Sequence, residues 1–310
     1  MGSPADALGL LADSPELLPA RSQMAFTLGF HIILACLGVA FPAITLIANW
    51  RGLRHGDETA LTLARRWSQV MAVLFAVGAV TGTVLSFEMG LLWPGLMDRY
   101  GEVFGVPFAI EGIFFFTEAI FIAIYIYGWR GLSPWAHFWS GVPIVIAGLG
   151  GALSVVAANA WMNHPQGFTT DAQGRVTDVD VLEVMFNPAT TYEVPHMILA
   201  AYMVAGFLVA SVYAVGMLRG RRDRIHRLGF LIPFTVAAAA TPIQLFVGDL
   251  AARGIAEDQP AKFAAMEYVT ETGPGQDEYV GGVLVDGEVK APSRSPTWTR
   301  SWWASPPTRS

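Results

Sequence analysis

The stretch Arg21–Trp50 reads RSQMAFTLGFHIILACLGVAFPAITLIANW and decides the fold. From Gln23 to Ala48 it holds no Asp, Glu, Lys or Arg, and its ionisable groups are the imidazole of His31 and the thiol of Cys36. A helix needs roughly 20 apolar residues to cross a hydrocarbon core about 30 Å thick, and a helix satisfies its own backbone bonds there. The block therefore predicts a membrane span. His31 stands about eight residues inside it.

Working outward, five further blocks have the same character: Ser68–Trp93, Phe108–Trp129, Phe138–Met162, Val194–Leu218 and Leu228–Leu250. The chain is 53% hydrophobic and 14% charged, whereas a soluble domain carries about 25% charged residues. Blocks of this length leave too little polar surface for a soluble fold. The expected class is all-α: a polytopic transmembrane bundle of about six spans over residues 21–250. A net charge of −6 argues against nucleic acid as a partner. The single cysteine, Cys36, excludes an intrachain disulfide. Residues 1–20 lack a basic leader and carry Asp6, Asp13 and Glu16, so they read as a polar segment rather than a signal peptide.

Basic residues in short loops orient such a bundle. Arg51, Arg54, Arg65 and Arg66 lie between the first two spans, Arg130 between the third and fourth, and Arg219, Arg221, Arg222, Arg224 and Arg227 between the fifth and sixth. The alternate loops are acidic or mixed, with Asp171, Asp178, Asp180, Glu183 and Glu193 in one and Asp98, Arg99 and Glu102 in the other. Odd-to-even loops therefore face the cytoplasm and the N-terminus faces out. After Leu250 the chain turns polar. Residues 251–290 are expected outside. Residues 291–310, APSRSPTWTRSWWASPPTRS, have no periodicity and no acidic residue. They read either as a disordered tail or as the product of a slipped reading frame.

Ionisable groups inside spans mark functional sites. His31, His196, Glu88, Glu111, Glu118 and Asp249 are such groups, and helix direction puts all six toward the outer half of the membrane. Two imidazoles at one depth favour iron ligation over simple packing. Glu111 and Glu118 are seven apart, so they share a helix face about 10 Å apart. They suit a proton path, with iron coordination or an interhelical hydrogen bond as alternatives. His55, His137, His164 and His226 fall at loops or helix ends and are expected to be solvated or interfacial. Trp93, Trp129 and Trp161 stand where an aromatic belt is expected.

These residues resemble subunit I of the cytochrome bd quinol oxidases. RSQMAFTLGFH is similar to the family's opening segment that ends in the ligand of the high-spin heme b, which would make His31 that ligand, with Arg21 and Gln23 in the heme environment. AIEGIFFFTEAIF resembles the glutamate pair on the proton route, here Glu111 and Glu118. ANAWMNHP resembles an element containing Trp161. VPHMILAAY resembles the segment with the ligand of the low-spin heme b, here His196. FVGD would make Asp249 a buried acid near the hemes, and PAKFAAME would open a quinol-binding loop with Lys262 and Glu267.

The resemblance runs over about Ala20–Val289. It implies two hemes b and one heme d, ubiquinol or menaquinol as substrate, oxygen reduced to water, a proton gradient, and a bacterial cytoplasmic membrane location. The implied partners are subunit II and small single-span subunits. The family chain continues into three more spans. These hold the second ligand of the low-spin heme, a further glutamate and the arginines beside the quinol, so the 310 residues alone are expected to be an incomplete catalyst. From the residues themselves, a simpler b-type electron carrier and a heme-free proton-coupled transporter remain open. A carrier does not require the Glu111–Glu118 pair plus the quinol loop, whereas in the transporter the buried acids would move protons with a substrate.

Overall fold

The computed structural model describes residues 15–267 and, beyond them, the strand residues 279–280, 283–285, 288–290 and 293–294. Six helices are long and apolar enough to cross a membrane. They are α1 (Leu17–His55), α2 (Glu58–Leu92), α3 (Pro94–Tyr127), α4 (Pro134–Asn163), α6 (Thr190–Leu218) and α7 (Arg224–Asp258). The chain is a polytopic transmembrane helix bundle. Most of the helices outrun the apolar blocks at one end or both, because a helix continues past the hydrocarbon until a cap stops it.

Local chemistry sets those caps. Gly56 ends α1 in the left-handed region at φ 62, a conformation that suits glycine. Asp57 then opens α2 by accepting from the Ala60 N–H at 3.3 Å. Trp93 separates α2 from α3, since the residue before Pro94 is driven out of helical geometry. Asp98, Arg99 and Glu102 were expected in a loop. They lie instead in the first turns of α3, because the connection needs Trp93 alone. Between α4 and α6 stand an antiparallel hairpin of β1 (Phe168–Thr170) and β2 (Val176–Val179) and a short helix, α5 (Val181–Met185).

The chain divides into two compact units, residues 1–247 and 248–310. In the first, α1 packs against α2, α4 and α6, and α3 packs against α4. Small residues allow the close approach: a Cβ on Gly206 of α6 would lie 2.7 Å from the Pro233 carbonyl oxygen of α7. The second unit holds the end of α7, the helix α8 (Pro260–Met266) and four short strands, Tyr279–Val280, Val283–Val285, Glu288–Lys290 and Ser293–Arg294. Apart from that last strand, the tail 291–310 lies outside the described residues, as do residues 1–14.

The three basic loops meet at one end of the bundle, as their charge parity requires. Arg224 Nη2 donates to Asp57 Oδ2 at 2.7 Å, and Arg51 Nε donates to the same oxygen at 3.1 Å. Arg224, with help from the Ala60 N–H and Arg51, holds the Asp57 carboxyl below the usual carboxylate range. Nearby, the Arg65 guanidinium lies 5.4 Å over the Trp129 ring.

The same end corrects one expectation. His137 is not solvated: it is 3% exposed. Its ring stacks on Tyr125 at 4.2 Å and lies tilted against Trp129 with centroids 4.0 Å apart, and Nε2 donates to the Tyr125 carbonyl oxygen at 2.8 Å. Asn49 Nδ2 donates to the Tyr125 hydroxyl at 2.7 Å and lies 3.3 Å from His137 Nδ1. The first turn of α4 folds back on the end of α3, and a buried ring survives there because each of its nitrogens has a partner.

Candidate functional site

The sequence-predicted residues fall into separate groups. One lies between α1 and α2. Gln23, Thr27 and His31 recur every four residues and share one face of α1. Gln23 Nε2 and Thr27 Oγ1 donate to Glu88 Oε1 at 3.0 and 2.8 Å. Glu88 is 4% exposed, and its Oε2 is buried without a hydrogen-bond partner.

His31 Nδ1 lies 2.8 Å from Thr81 Oγ1. That hydroxyl has one proton, with the carbonyl oxygens of Val77 and Gly78 both at 3.1 Å. When a carbonyl takes that proton, the Thr81 oxygen accepts from His31 Nδ1–H, and in that tautomer Nε2 keeps its lone pair. The ring sits against Gly82, where an added Cβ would come within 3.1 Å of Cε1. Thr81 and Gly82 both escape sequence reading. The motif Thr-Gly is common, and its meaning depends on which helix faces it.

The glutamates of α3 lie on the neighbouring wall. A Cβ on Gly148 would be 3.7 Å from Glu118 Oε1 and 3.8 Å from the Gly38 carbonyl oxygen, so Glu118 faces α4 and α1 together. Gly38 is seven residues along α1 from His31, about 10 Å along the axis. Glu111 is seven residues back along α3, and is half-buried like Glu118. The two carboxyls thus form a file along α3.

His196 is built differently. It is exposed on α6, and Gln244 Nε2 of α7 lies 3.2 Å from its Nδ1 and 3.4 Å from its Nε2. Gln244 Oε1 is buried without a partner. An amide N–H donated to Nδ1 leaves the imidazole proton on Nε2. Turned end for end, the amide would accept from Nδ1–H through Oε1 and free the Nε2 lone pair.

Trp161 is not an interfacial belt residue. It is 3% exposed, packs against Phe104, Tyr100 and Phe168, and donates from Nε1 to the Gln166 carbonyl oxygen at 2.9 Å. The hairpin after α4 folds over it, which hydropathy does not encode. Arg21 is exposed on the first turns of α1. Asp249 is in the second unit, paired with Arg253 at 2.9 Å. Lys262 on α8 and Glu267 at its end belong to the same unit.

A sequence profile of the cytochrome bd terminal oxidase subunit I family matches residues 19–294. The chain belongs to that family. It is 34% identical over 279 residues to "Putative cytochrome bd menaquinol oxidase subunit I" of Bacillus subtilis (strain 168), covering 89% of this chain and 63% of the relative. It is 28% identical over 257 residues to cytochrome bd-II ubiquinol oxidase subunit 1 of Escherichia coli (strain K12), covering 82% and 50%. The bd oxidase structure from Geobacillus thermodenitrificans superposes with a TM-score of 0.84 at 36% identity, covering 91% of this chain and 65% of that one. This family member therefore spans between half and two thirds of the length of these relatives.

Proposed function

We propose that this chain is the N-terminal, heme-holding part of subunit I of a membrane quinol:oxygen oxidoreductase. In this reading ubiquinol or menaquinol is oxidised at the outer face, and oxygen is reduced to water with formation of a proton gradient. The complex sits in a bacterial cytoplasmic membrane with the N-terminus outside, and includes subunit II and small single-span subunits. Residues 21–250 form the heme-holding domain, residues 251–290 open the quinol loop, residues 1–20 form an outer segment and residues 291–310 a tail.

The observation that carries this reading is the Thr81–His31 hydrogen bond inside a chain of this family. Among the described residues no three His, Cys, Asp or Glu side chains converge to cage a bare metal ion. A single imidazole with a free Nε2 suits an iron already held by a porphyrin. His31 would ligate the high-spin heme b, and His196 the low-spin heme b once the Gln244 amide presents its carbonyl. With a heme d, these groups would supply the electron transfer and oxygen chemistry. Thr81 orients the His31 ring, as partners of iron-binding histidines do. Glu111 and Glu118 would hold and pass protons along α3 toward His31. Asp249 would add a further acid, Lys262 and Glu267 would contact quinol, and Arg21, Gln23 and Trp161 would contribute to the heme surroundings.

A visible spectrum of membranes containing the chain tests the reading. A red chlorin band beside b-type bands is the expected outcome. Bands of b type alone would replace the oxidase by a simple electron carrier, and no heme bands would replace it by a proton-coupled transporter.

A further inference from the structure

The bundle end that gathers the basic loops holds a cavity of about 240 Å³, lined by Arg65, Ser68, Gln69, Ile126, Tyr127, Trp129 and Arg130. It opens between the second and third turns of α2 and the junction of α3 with α4. Two guanidiniums face it, and among the described residues neither forms an ion pair with a carboxylate. The nearby acid Asp57 is already taken by Arg51 and Arg224. Glu58 is seven residues before Arg65, about 10 Å along the helix axis.

One wall is rigid. Trp129 packs at a tilt against the buried His137, with centroids 4.0 Å apart, and its Nε1 donates to Ser68 Oγ at 3.3 Å. Ser68 Oγ donates in turn to the Arg65 carbonyl oxygen at 2.8 Å. The Arg65 guanidinium lies over the Trp129 face, which fixes that charge at the cavity rim. Both charged groups here are cations, Arg65 and Arg130, and the Gln69 amide adds N–H donors beside its acceptor oxygen.

Below the cavity the surface turns apolar. Val73 and Val77 continue the Gln69 face of α2 and are 64% and 41% exposed. Tyr127, Ile124 and Ile120 continue along α3 at 84%, 40% and 57% exposed. A cationic cavity at the membrane surface above two apolar strips fits a molecule with one anionic end and two long hydrocarbon chains.

We propose that this cavity binds the phosphate of an anionic glycerophospholipid, held between Arg65 and Arg130, with the acyl chains against α2 and α3. Basic pockets between membrane helices recognise such headgroups, with a contribution of about 1 kcal/mol per arginine, or about fivefold in affinity each. The lipid would brace the α2–α3–α4 junction on which Trp129 and His137 are packed.

The test is native mass spectrometry of the full chain, purified in mild detergent and titrated with phosphatidylglycerol, phosphatidylcholine or inorganic phosphate. The variants are Arg65→Gln/Arg130→Gln and, as a charge-matched control, Arg219→Gln/Arg221→Gln in another basic loop. The expected result is a preference for phosphatidylglycerol that falls about 25-fold in the first variant and less than twofold in the control. Equal loss in both variants, or no preference over phosphatidylcholine in the unaltered chain, would overturn the proposal. So would displacement of bound lipid by millimolar phosphate, which would assign the cavity to the free anion. Should the double variant fail to fold, Arg130→Gln alone, at an exposed turn, must still lower phosphatidylglycerol binding about fivefold.

Discussion

The two candidate ligand sites are built on opposite principles. His31 is locked between two helices, with Nδ1 on Thr81 and the ring edge against Gly82. His196 is exposed on its helix, and the amide beside it offers a nitrogen where ligation needs an oxygen. The partners that fix the His31 ring, Thr81 and Gly82, both come from α2. A site that needs its neighbour to turn depends on what binds. The first should tolerate less change than the second.

The largest test of this contrast removes the imidazoles. His31→Ala is expected to remove the heme bound at α1 and leave the one bound at α6, and His196→Ala should do the reverse. Visible and electron paramagnetic resonance spectra of the same membranes report both. One substitution erasing both signals would end the division into two sites. Next comes Gly82→Val, whose added atoms meet His31 Cε1 and must turn the ring off Thr81. A loss of heme affinity of about 10- to 100-fold is expected, the range when the hydrogen-bond partner that orients a metal-binding histidine is disturbed. Gly78→Ala, whose Cβ would have Leu34 at 3.9 Å, should be silent.

Thr81→Val should cost about tenfold in heme retention, with recovery in Thr81→Ser, which keeps the acceptor. The iron–histidine stretch in the Raman spectrum should shift in the valine variant alone. Gln244→Leu should weaken only the low-spin heme, by a few-fold, because an exposed ring loses less with its partner. Gln244→Glu keeps an acceptor for Nδ1–H and should retain that heme.

The smallest effect belongs at the other end. Asp57→Asn should leave both heme signals unchanged while lowering bundle stability by about 1–2 kcal/mol: asparagine still caps α2, and what is lost is the charge that Arg224 and Arg51 bond. The Asp57 carboxyl is held below its ordinary value, so its contribution is present above about pH 4 and is lost as pH falls further. Thermal melts of Asp57→Asn should lack that acidic limb.

Span number, loop parity and the ionisable residues were legible because hydropathy and charge are one-dimensional properties. What escaped is which helix face meets which. The Arg21–Trp50 segment is apolar all round, so nothing in it says that His31 turns toward Thr81. Gln244 is an uncharged polar residue in an apolar block, and its place beside His196 exists only once α6 and α7 are side by side. His137 was misjudged because its nearness to a loop suggested water, whereas the fold packs it against Tyr125 and Trp129. Trp161 was misjudged for a similar reason, since the hairpin that covers it is polar in sequence.

The Asp57 clamp has a consequence for biogenesis. Arg224 follows Asp57 by 167 residues, so their contact cannot form until five helices have left the ribosome and entered the bilayer. Until then the carboxylate has only Arg51 and its own helix cap. Closure of that contact joins the first of the three basic loops to the last.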